Sequence, residues 1–516
     1  MILDYNKISL GQALRTSAEQ YAELPAIRFP GFNLSFAEVN QQSDALAAAL
    51  VKIGIQTGDR VGLYCINCAE FAVVYCAIIK AGAVVVPINL LITINQVSYI
   101  AKDAGIKALF YHSALSEKAI SLRSLIQEHI QIAIDPESQG ADFYYPDLLQ
   151  TPEPSPVVEL DPQKDLAAIL YTSGTTGFPK GAMLSHTNLL SNTCSVKTAM
   201  QFRSGEDCLF VVLPMFHSFA ATVGMLTPLI HGLSFTPVVK FDPNLIAQVL
   251  TDTQSTIFLG VPSMYNLLLK QTDAQVANWS SVRFAISGAA ALPFEVMQKF
   301  EEKFGFPIYE GDGPTECSPV TCINPIDGVC KPGSVGLAIP DVYFRICDDD
   351  GNDFPQGEIG EICVKGPNVM RSYWQLPKET KESFFGEWFR TGDLGYLDED
   401  DYLFMVDRKK DMIIVNGMNV YPRIIEELLY SHEQIVEAAV VGEPDERRGE
   451  KVIAHVVLTE QAQINDKDIR NFCRANLGRH EIPRQIIIRD SLPKNATGKI
   501  LKRELRKEGE IERGIC

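Results

Sequence analysis

The sequence predicts an α/β protein of more than one domain, and three observations carry that expectation. Its 516 residues exceed what one ordinary hydrophobic core organises. Short apolar runs at 60–64, 108–111, 208–213 and 256–259 alternate with helix-like stretches such as 36–53, the strand–helix alternation of a largely parallel sheet. The pattern then changes twice near the end of the chain. Residues 357–371 read as strands, and after the acidic cluster at 398–401 a fresh α/β pattern of about 110 residues begins, enough for one small domain. The expected division is therefore 1–405 and 406–516.

In chain order, 36–53 predicts a helix and 60–64 a strand. The stretch 71–88 is apolar enough to resemble a membrane span, but Lys80, Gly82 and Pro87 interrupt it. It reads instead as a helix ended at Ala81-Gly82 and a strand over 83–86, so no transmembrane segment is expected. The Pro- and acid-rich segment 135–165 predicts a surface connection into an apolar strand at 166–170. The charge run at 502–510 predicts a solvated helix face or a frayed tail.

Composition narrows function. Apolar residues make up 46% and charged residues 21%, as in packed soluble proteins, whereas a net charge of -18 disfavours a nucleic-acid partner. An anionic ligand must then be held by local cations, for which Lys180, Arg408 and Lys499 are candidates. The 12 cysteines form no framework, and no basic-then-apolar signal opens the chain, so a reduced, cytoplasmic setting is expected. Cys65 and Cys68 are the one close pair; zinc would need a second, so they read as packing.

The most informative string is Tyr-Thr-Ser-Gly-Thr-Thr-Gly-Phe-Pro-Lys-Gly at 171–181. Gly174 and Gly177 let backbone N–H groups approach phosphate oxygens, Thr172, Ser173, Thr175 and Thr176 add hydroxyl donors, and Lys180 adds charge. The order of a Walker loop is absent. The complete string resembles the adenylate-forming superfamily: acyl-CoA synthetases, peptide-synthetase adenylation domains and firefly-type luciferases. Further strings match that pattern in order, over nearly the whole chain.

The resemblance implies a role for each. His217, in Leu-Pro-Met-Phe-His-Ser-Phe, would steer the carboxylate toward the α-phosphate of ATP. Gly288, Ala289 and Ala290 would wall the adenine and acyl sites. In Gly-Asp-Gly-Pro-Thr-Glu, Thr315 would bind the α-phosphate and Glu316 a magnesium ion, with Asp312 and Gly313 beside the base; Asp312 stands where the family carries an aromatic residue. Asp393 would accept the ribose hydroxyls and Arg408 contact ribose or phosphate. Lys410 takes the hinge position, Gly417 would border the pantetheine tunnel, and Ile424 replaces an expected Glu. Lys499, in Leu-Pro-Lys-Asn-Ala-Thr-Gly-Lys, would swing in for the first half-reaction.

The implied fold is α/β: a large N-terminal domain of two α/β subdomains plus a β-rich subdomain, with a small mobile α+β C-terminal domain. The implied reaction converts a carboxylic acid and ATP to acyl-AMP and pyrophosphate, then transfers the acyl group to coenzyme A. The apolar strings from Ser218 and from Val261 contain no charged partner for an amino acid. A medium- or long-chain fatty acid is the first expectation, and an aryl or alicyclic acid stays open. Free coenzyme A is favoured over a carrier protein because no carrier domain follows Lys499. A non-catalytic acyl or nucleotide binder is the competing class, countered by retention of Lys180, Glu316, Asp393, Arg408 and Lys499. Peripheral membrane contact stays open, with no anchor or basic amphipathic helix to support it.

Overall fold

The computed structural model describes residues 3–126, 129–138, 140–150, 154–172, 179–445, 447–494 and 499–512. Four β-sheets organise them. The first is an eight-stranded sheet built on the parallel strands Val84–Pro87, Arg60–Tyr64, Ile106–Tyr111 and Ile130–Ala133. Leu166–Thr172 joins it parallel to Val84–Pro87, and Lys180–Ser185 turns back antiparallel to Leu166–Thr172. The second sheet has nine strands, parallel from Ile308–Asp312 through Phe284–Ser287, Ile257–Gly260, Cys208–Val211 and Ser234–Pro237 to Pro25–Phe29.

The third sheet is antiparallel, with Tyr343–Cys347, Gly360–Lys365, Trp388–Leu397 and Leu403–Arg408. The fourth combines the antiparallel strands Ile413–Val415, Gly449–Leu458 and Ile435–Asp445 with Gln485–Arg489, which pairs parallel to Gly449–Leu458. The molecule thus has the mixed α/β architecture the sequence predicts, with two largely parallel sheets, a β-rich region and a C-terminal α+β region.

The ambiguous stretch at 71–88 has a clear physical reading. Ala69–Lys80 is a helix, and Gly82 turns the chain at φ +74° into Val84–Pro87. From Phe71 through Lys80 every side chain of the helix is buried, which removes the polar stripe that normally marks a soluble helix. Lys80 sits in that core with its Nζ bonded to Asn40 Oδ1 (2.6 Å) and Ser43 Oγ (2.8 Å) and 3.1 Å from Asp44. A buried ammonium is tolerable only with such partners. Among the described residues no helix is long and apolar enough to cross a membrane.

Helix Phe36–Lys52 starts as its sequence suggests, with Ser35 and Glu38 forming a capping box. The charge run near the end is the solvated helix face the sequence suggests, with Arg503, Glu504, Lys507 and Glu508 exposed, but its opposite face is docked. Lys502–Glu512 is a helix that buries Leu505 against Ala439, Val441 and Ile453. Its cations find partners: Lys502 with Glu426 (2.8 Å) and Arg506 with Asp411 (2.8 Å). One leucine at the right helical position docks a segment that charge density alone marks as free.

Candidate active site

The candidate residues come from segments of the first, second and third sheets and from the C-terminal region. Thr172, Asp312 and Arg408 end strands and Lys180 begins one, the usual place for ligand contacts in parallel sheets because the adjoining loops can vary without disturbing the core. Thr172 ends one strand of the first sheet and Lys180 begins the next. The Thr172 hydroxyl lies 3.4 Å from the Lys180 carbonyl and 3.5 Å from Glu316 Oε1. The intervening Ser173, Gly174, Thr175, Thr176 and Gly177 lie outside the described residues, as do Thr497 and Gly498 before Lys499.

The second sheet contributes two adjacent strand ends. Phe284–Ser287 runs into Gly288, where a Cβ would come within 3.2 Å of the Phe219 ring, and then into Ala289 at φ +68°, a backbone region that disfavours a side chain. Ala290 follows in the same turn. Next to it, Ile308–Asp312 leads through Gly313 to the turn Thr315–Cys317. Glycine is required at 313: a Cβ would lie 1.8 Å from the Pro319 carbonyl oxygen. The Thr315 hydroxyl meets Ser218 Oγ at 3.2 Å, which ties this turn to the residue after His217.

Glu316 is held rather than loose. The Tyr373 hydroxyl donates to Glu316 Oε1 at 2.7 Å, and Lys180 Nζ lies 5.2 Å from the centroid of the same tyrosine ring. Glu316 presents a hard carboxylate oxygen among hydroxyls, a donor set that fits magnesium. Tyr373 escaped the sequence reading; it lies two residues beyond the 357–371 segment, in the short strand Ser372–Tyr373 that pairs with Lys180–Ser185.

His217 occupies the segment between Cys208–Val211 and the apolar turns at 219–226. Burial lowers its imidazole to about 4, so it is neutral near pH 7, and its Nε2 is buried with no hydrogen-bond partner among the described residues. A neutral ring with an unsatisfied nitrogen can bind a polar ligand without bringing a charge. Asn67 supports this segment, accepting from Met215 N–H (2.8 Å) and donating to the Leu213 carbonyl (2.9 Å). Its neighbours Cys65 and Cys68 place their sulfurs 3.5 Å apart.

The third sheet supplies Asp393 and Arg408, directly paired across neighbouring strands. Arg408 Nε lies 3.1 Å from Asp393 Oδ1. Asp393 is 5% exposed, and burial raises its carboxyl while Arg408, Lys499 and Lys410 pull it down. Lys499 enters from the C-terminal region and lies in the field of Arg408, Asp393, Asp312 and Lys410; burial first, then Arg408, lowers its ammonium to about 8. Gly417, at φ +77°, lies in the turn between Ile413–Val415 and Met418–Val420 with open space where a side chain would stand. Ile424 is exposed on helix Pro422–Tyr430.

Fold and cleft together define a class of α/β enzymes in which a lysine of the C-terminal region, here Lys499, lies among the charges of the cleft. A family model described as AMP-binding enzyme matches residues 14–374, and one described as AMP-binding enzyme C-terminal domain matches 424–499; the chain belongs to this family. A long-chain-fatty-acid–CoA ligase of Bacillus subtilis is 35% identical over 97% of this chain and 94% of its own length. Among solved structures, ATP-bound MatB of Rhodopseudomonas palustris is 33% identical with a TM-score of 0.89 over 97% of this chain and 99% of its own. The apo form of that protein, 34% identical, covers 98% and 99% with a TM-score of 0.79. An anthranilate CoA ligase in complex with anthranoyl-AMP is 26% identical, with a TM-score of 0.90 and 98% of each chain covered. The chain is an AMP-forming acyl-CoA ligase, which activates a carboxylic acid with ATP and passes the acyl group to coenzyme A.

Proposed function

We propose that the acid is a medium- or long-chain fatty acid. The observation that carries this reading is the segment after His217: Ala220, Ala221, Val223, Gly224, Met225 and Leu226 are all buried, with no charge among them to pair with an ionised group on the acid. The Bacillus subtilis relative, named for long-chain fatty acids, favours the same substrate. The anthranilate ligase shares the fold, so aryl acids belong in the test. A cytoplasmic enzyme is the setting we infer for these substrates.

In the first half-reaction a carboxylate oxygen attacks the α-phosphorus and pyrophosphate leaves, so catalysis must orient two anions and stabilise the charge that builds between them. We assign the loop at 171–181, including Lys180, to the β- and γ-phosphates, and Thr315 with Lys499 to the α-phosphate. His217 donates to the acid, and its neutrality lets the carboxylate stay nucleophilic. Asp393 and Arg408 take the ribose, and Gly288, Ala289, Ala290, Asp312 and Gly313 border the base and acyl group. Glu316, oriented by Tyr373, would hold magnesium, which supplies charge neutralisation of the phosphates when bound.

In the second half-reaction the thiol attacks the acyl carbon, its proton departs and AMP leaves. We propose a division at 405/406 with its hinge at Lys410. The bonds on either side support that position: Lys409 is tied back to Asp349 (2.5 Å) and Glu361 (2.9 Å), whereas Asp411 is tied forward to Arg506. Lys410 is the link between two clamped neighbours. Turning there would withdraw Lys499 and bring Gly417 toward the cleft, where a backbone without Cβ can border a narrow pantetheine arm.

The test is coenzyme A-dependent AMP release with saturated fatty acids of graded length, benzoate, anthranilate and an alicyclic acid. Turnover rising with chain length is the expected result. Turnover confined to the cyclic acids would overturn the fatty-acid reading, and nucleotide binding without turnover of any acid would favour a non-catalytic binder.

A further inference from the structure

Tyr171 and Gly181 face each other across the antiparallel strands Leu166–Thr172 and Lys180–Ser185, and both are tied from behind by residues that the reaction above does not use. The Tyr171 hydroxyl donates to Asp103 Oδ2 at 2.5 Å. Trp374 closes the other side: its backbone N–H donates to the Gly181 carbonyl (2.7 Å) and its indole N–H to the Asp103 carbonyl (2.9 Å). Asp103 thus completes a ring of four residues from three distant parts of the chain, through its carboxylate on one side and its backbone on the other. Packing agrees with these bonds. A Cβ at Gly181 would lie 3.2 Å from the Tyr171 ring and 3.3 Å from Trp374. Arg60 lies 5.6 Å from the centroid of the Trp374 ring and donates to the Ala104 and Gly105 carbonyls (2.7 and 3.0 Å), which fixes the turn that carries Asp103.

The helix itself gains nothing from this carboxylate. Asp103 stands in the last turn of Ile94–Ala104, where the macrodipole disfavours negative charge. What it ties together does account for it. Tyr171 precedes Thr172, Gly181 follows Lys180, and Trp374 follows Tyr373, the donor to Glu316. We infer that Asp103 is a positioning residue for adenylation: through Tyr171 and Trp374 it holds Thr172, Lys180 and the Tyr373–Glu316 pair in one fixed arrangement for the phosphates and magnesium of ATP. The inference rests on the phosphate role proposed above for Lys180.

The experiment compares Asp103→Ala, Asp103→Asn, Tyr171→Phe, the Asp103→Ala/Tyr171→Phe double variant and Lys180→Ala with the unaltered full chain. ATP–pyrophosphate exchange with a fatty acid gives KM for ATP and for the acid. Thioester formation from supplied acyl-adenylate and coenzyme A involves no β- or γ-phosphate, so it reports whether the rest of the site is intact. For Asp103→Ala and Tyr171→Phe, KM for ATP should rise about fivefold or more, while KM for the acid and the rate of thioester formation stay within about twofold. Asp103→Asn, whose amide oxygen can still accept from Tyr171, should recover most of the affinity for ATP. The double variant should lose no more than the worse single one, because both remove the same bond. Equal loss in the two half-reactions, additive losses in the double variant, or an unchanged KM for ATP in Asp103→Ala would overturn the inference. If Lys180→Ala also leaves KM for ATP unchanged, the phosphate role of Lys180 falls and the inference with it; a rise there with none in Asp103→Ala sinks the inference alone.

Discussion

If Lys499 stabilises the adenylation transition state as an ammonium, adenylation must fail when it loses its proton. The structure sets where this happens. Burial, then Arg408, brings its titration from the ordinary lysine value of 10.5 to about 8, while Asp393 and Asp312 oppose the drop. Near pH 7 roughly nine molecules in ten then carry the charge, and near pH 9 about one in ten, so kcat/KM for ATP in pyrophosphate exchange should fall about tenfold between them. kcat/KM is the appropriate quantity because it reports the free enzyme; bound phosphates would hold the proton on and move the limb of kcat upward. Lys499→Arg, always charged, should lose this limb even if its rate is lower. Lys499→Ala removes a charge-stabilising donor, an effect of about 3–4 kcal/mol or 10²–10³-fold in exchange, while thioester formation from supplied acyl-adenylate persists. An alkaline limb that persists unchanged in Lys499→Arg would refute the assignment of that titration to Lys499.

Glu310 is 5% exposed and burial raises it to about 7, so the folded state binds a proton that the unfolded chain has released by then. Its contribution is a stability loss that grows as pH rises through roughly 4.5 to 7; Glu310→Gln, which can still accept from Leu292 N–H, should be more stable at pH 8 by up to about 3 kcal/mol and unchanged near pH 4, read from denaturant midpoints. Tyr373→Phe keeps the ring beneath Lys180 but removes the bond to Glu316; exchange should fall roughly 5- to 30-fold, with a higher magnesium requirement in a metal titration. Gly313→Ala should abolish exchange or unfold the second sheet locally, because its methyl cannot coexist with the Pro319 carbonyl; wild-type kinetics would contradict that packing. Lys410→Pro stiffens the link between two clamped neighbours and should slow thioester formation at least about tenfold more than exchange.

The strands were legible where apolar runs were short and bounded. Arg60–Tyr64 has the expected limits, and Leu166–Thr172 extends the expected 166–170 by two residues into the phosphate loop. The residues gathered at the cleft were legible only through the resemblance of ordered strings to a family, as for Asp393, Arg408 and Thr315, because neither composition nor periodicity marks them. Tyr373 was not legible in that way. Its role arises from an antiparallel pairing between Ser372–Tyr373 and Lys180–Ser185, almost two hundred residues apart, and no local pattern encodes that. The docking of Lys502–Glu512 was hidden for a related reason: a single buried leucine and ion pairs to Glu426 and Asp411 lie far below the signal of the surrounding charges.

The overall charge bears on how the cleft gathers a nucleotide. A chain with net charge -18 repels the polyanionic nucleotide it uses, so affinity must come from cations gathered at short range. Lys180 is the one such candidate supplied by the first sheet. Arg408, Lys410 and Lys499 come from the end of the third sheet and from the C-terminal region, and they sense one another strongly enough that each lowers Lys499 or is countered by Asp393. These cations repel one another, an effect that Asp393 and Asp312 offset in part, and a bound anion would turn that repulsion into attraction to a shared ligand. Under the proposed turn at Lys410, nucleotide binding and closure would be one electrostatic event, and departure of pyrophosphate would remove part of the charge that favours it. Release of Lys499 for the second reaction would then follow from the loss of that anion.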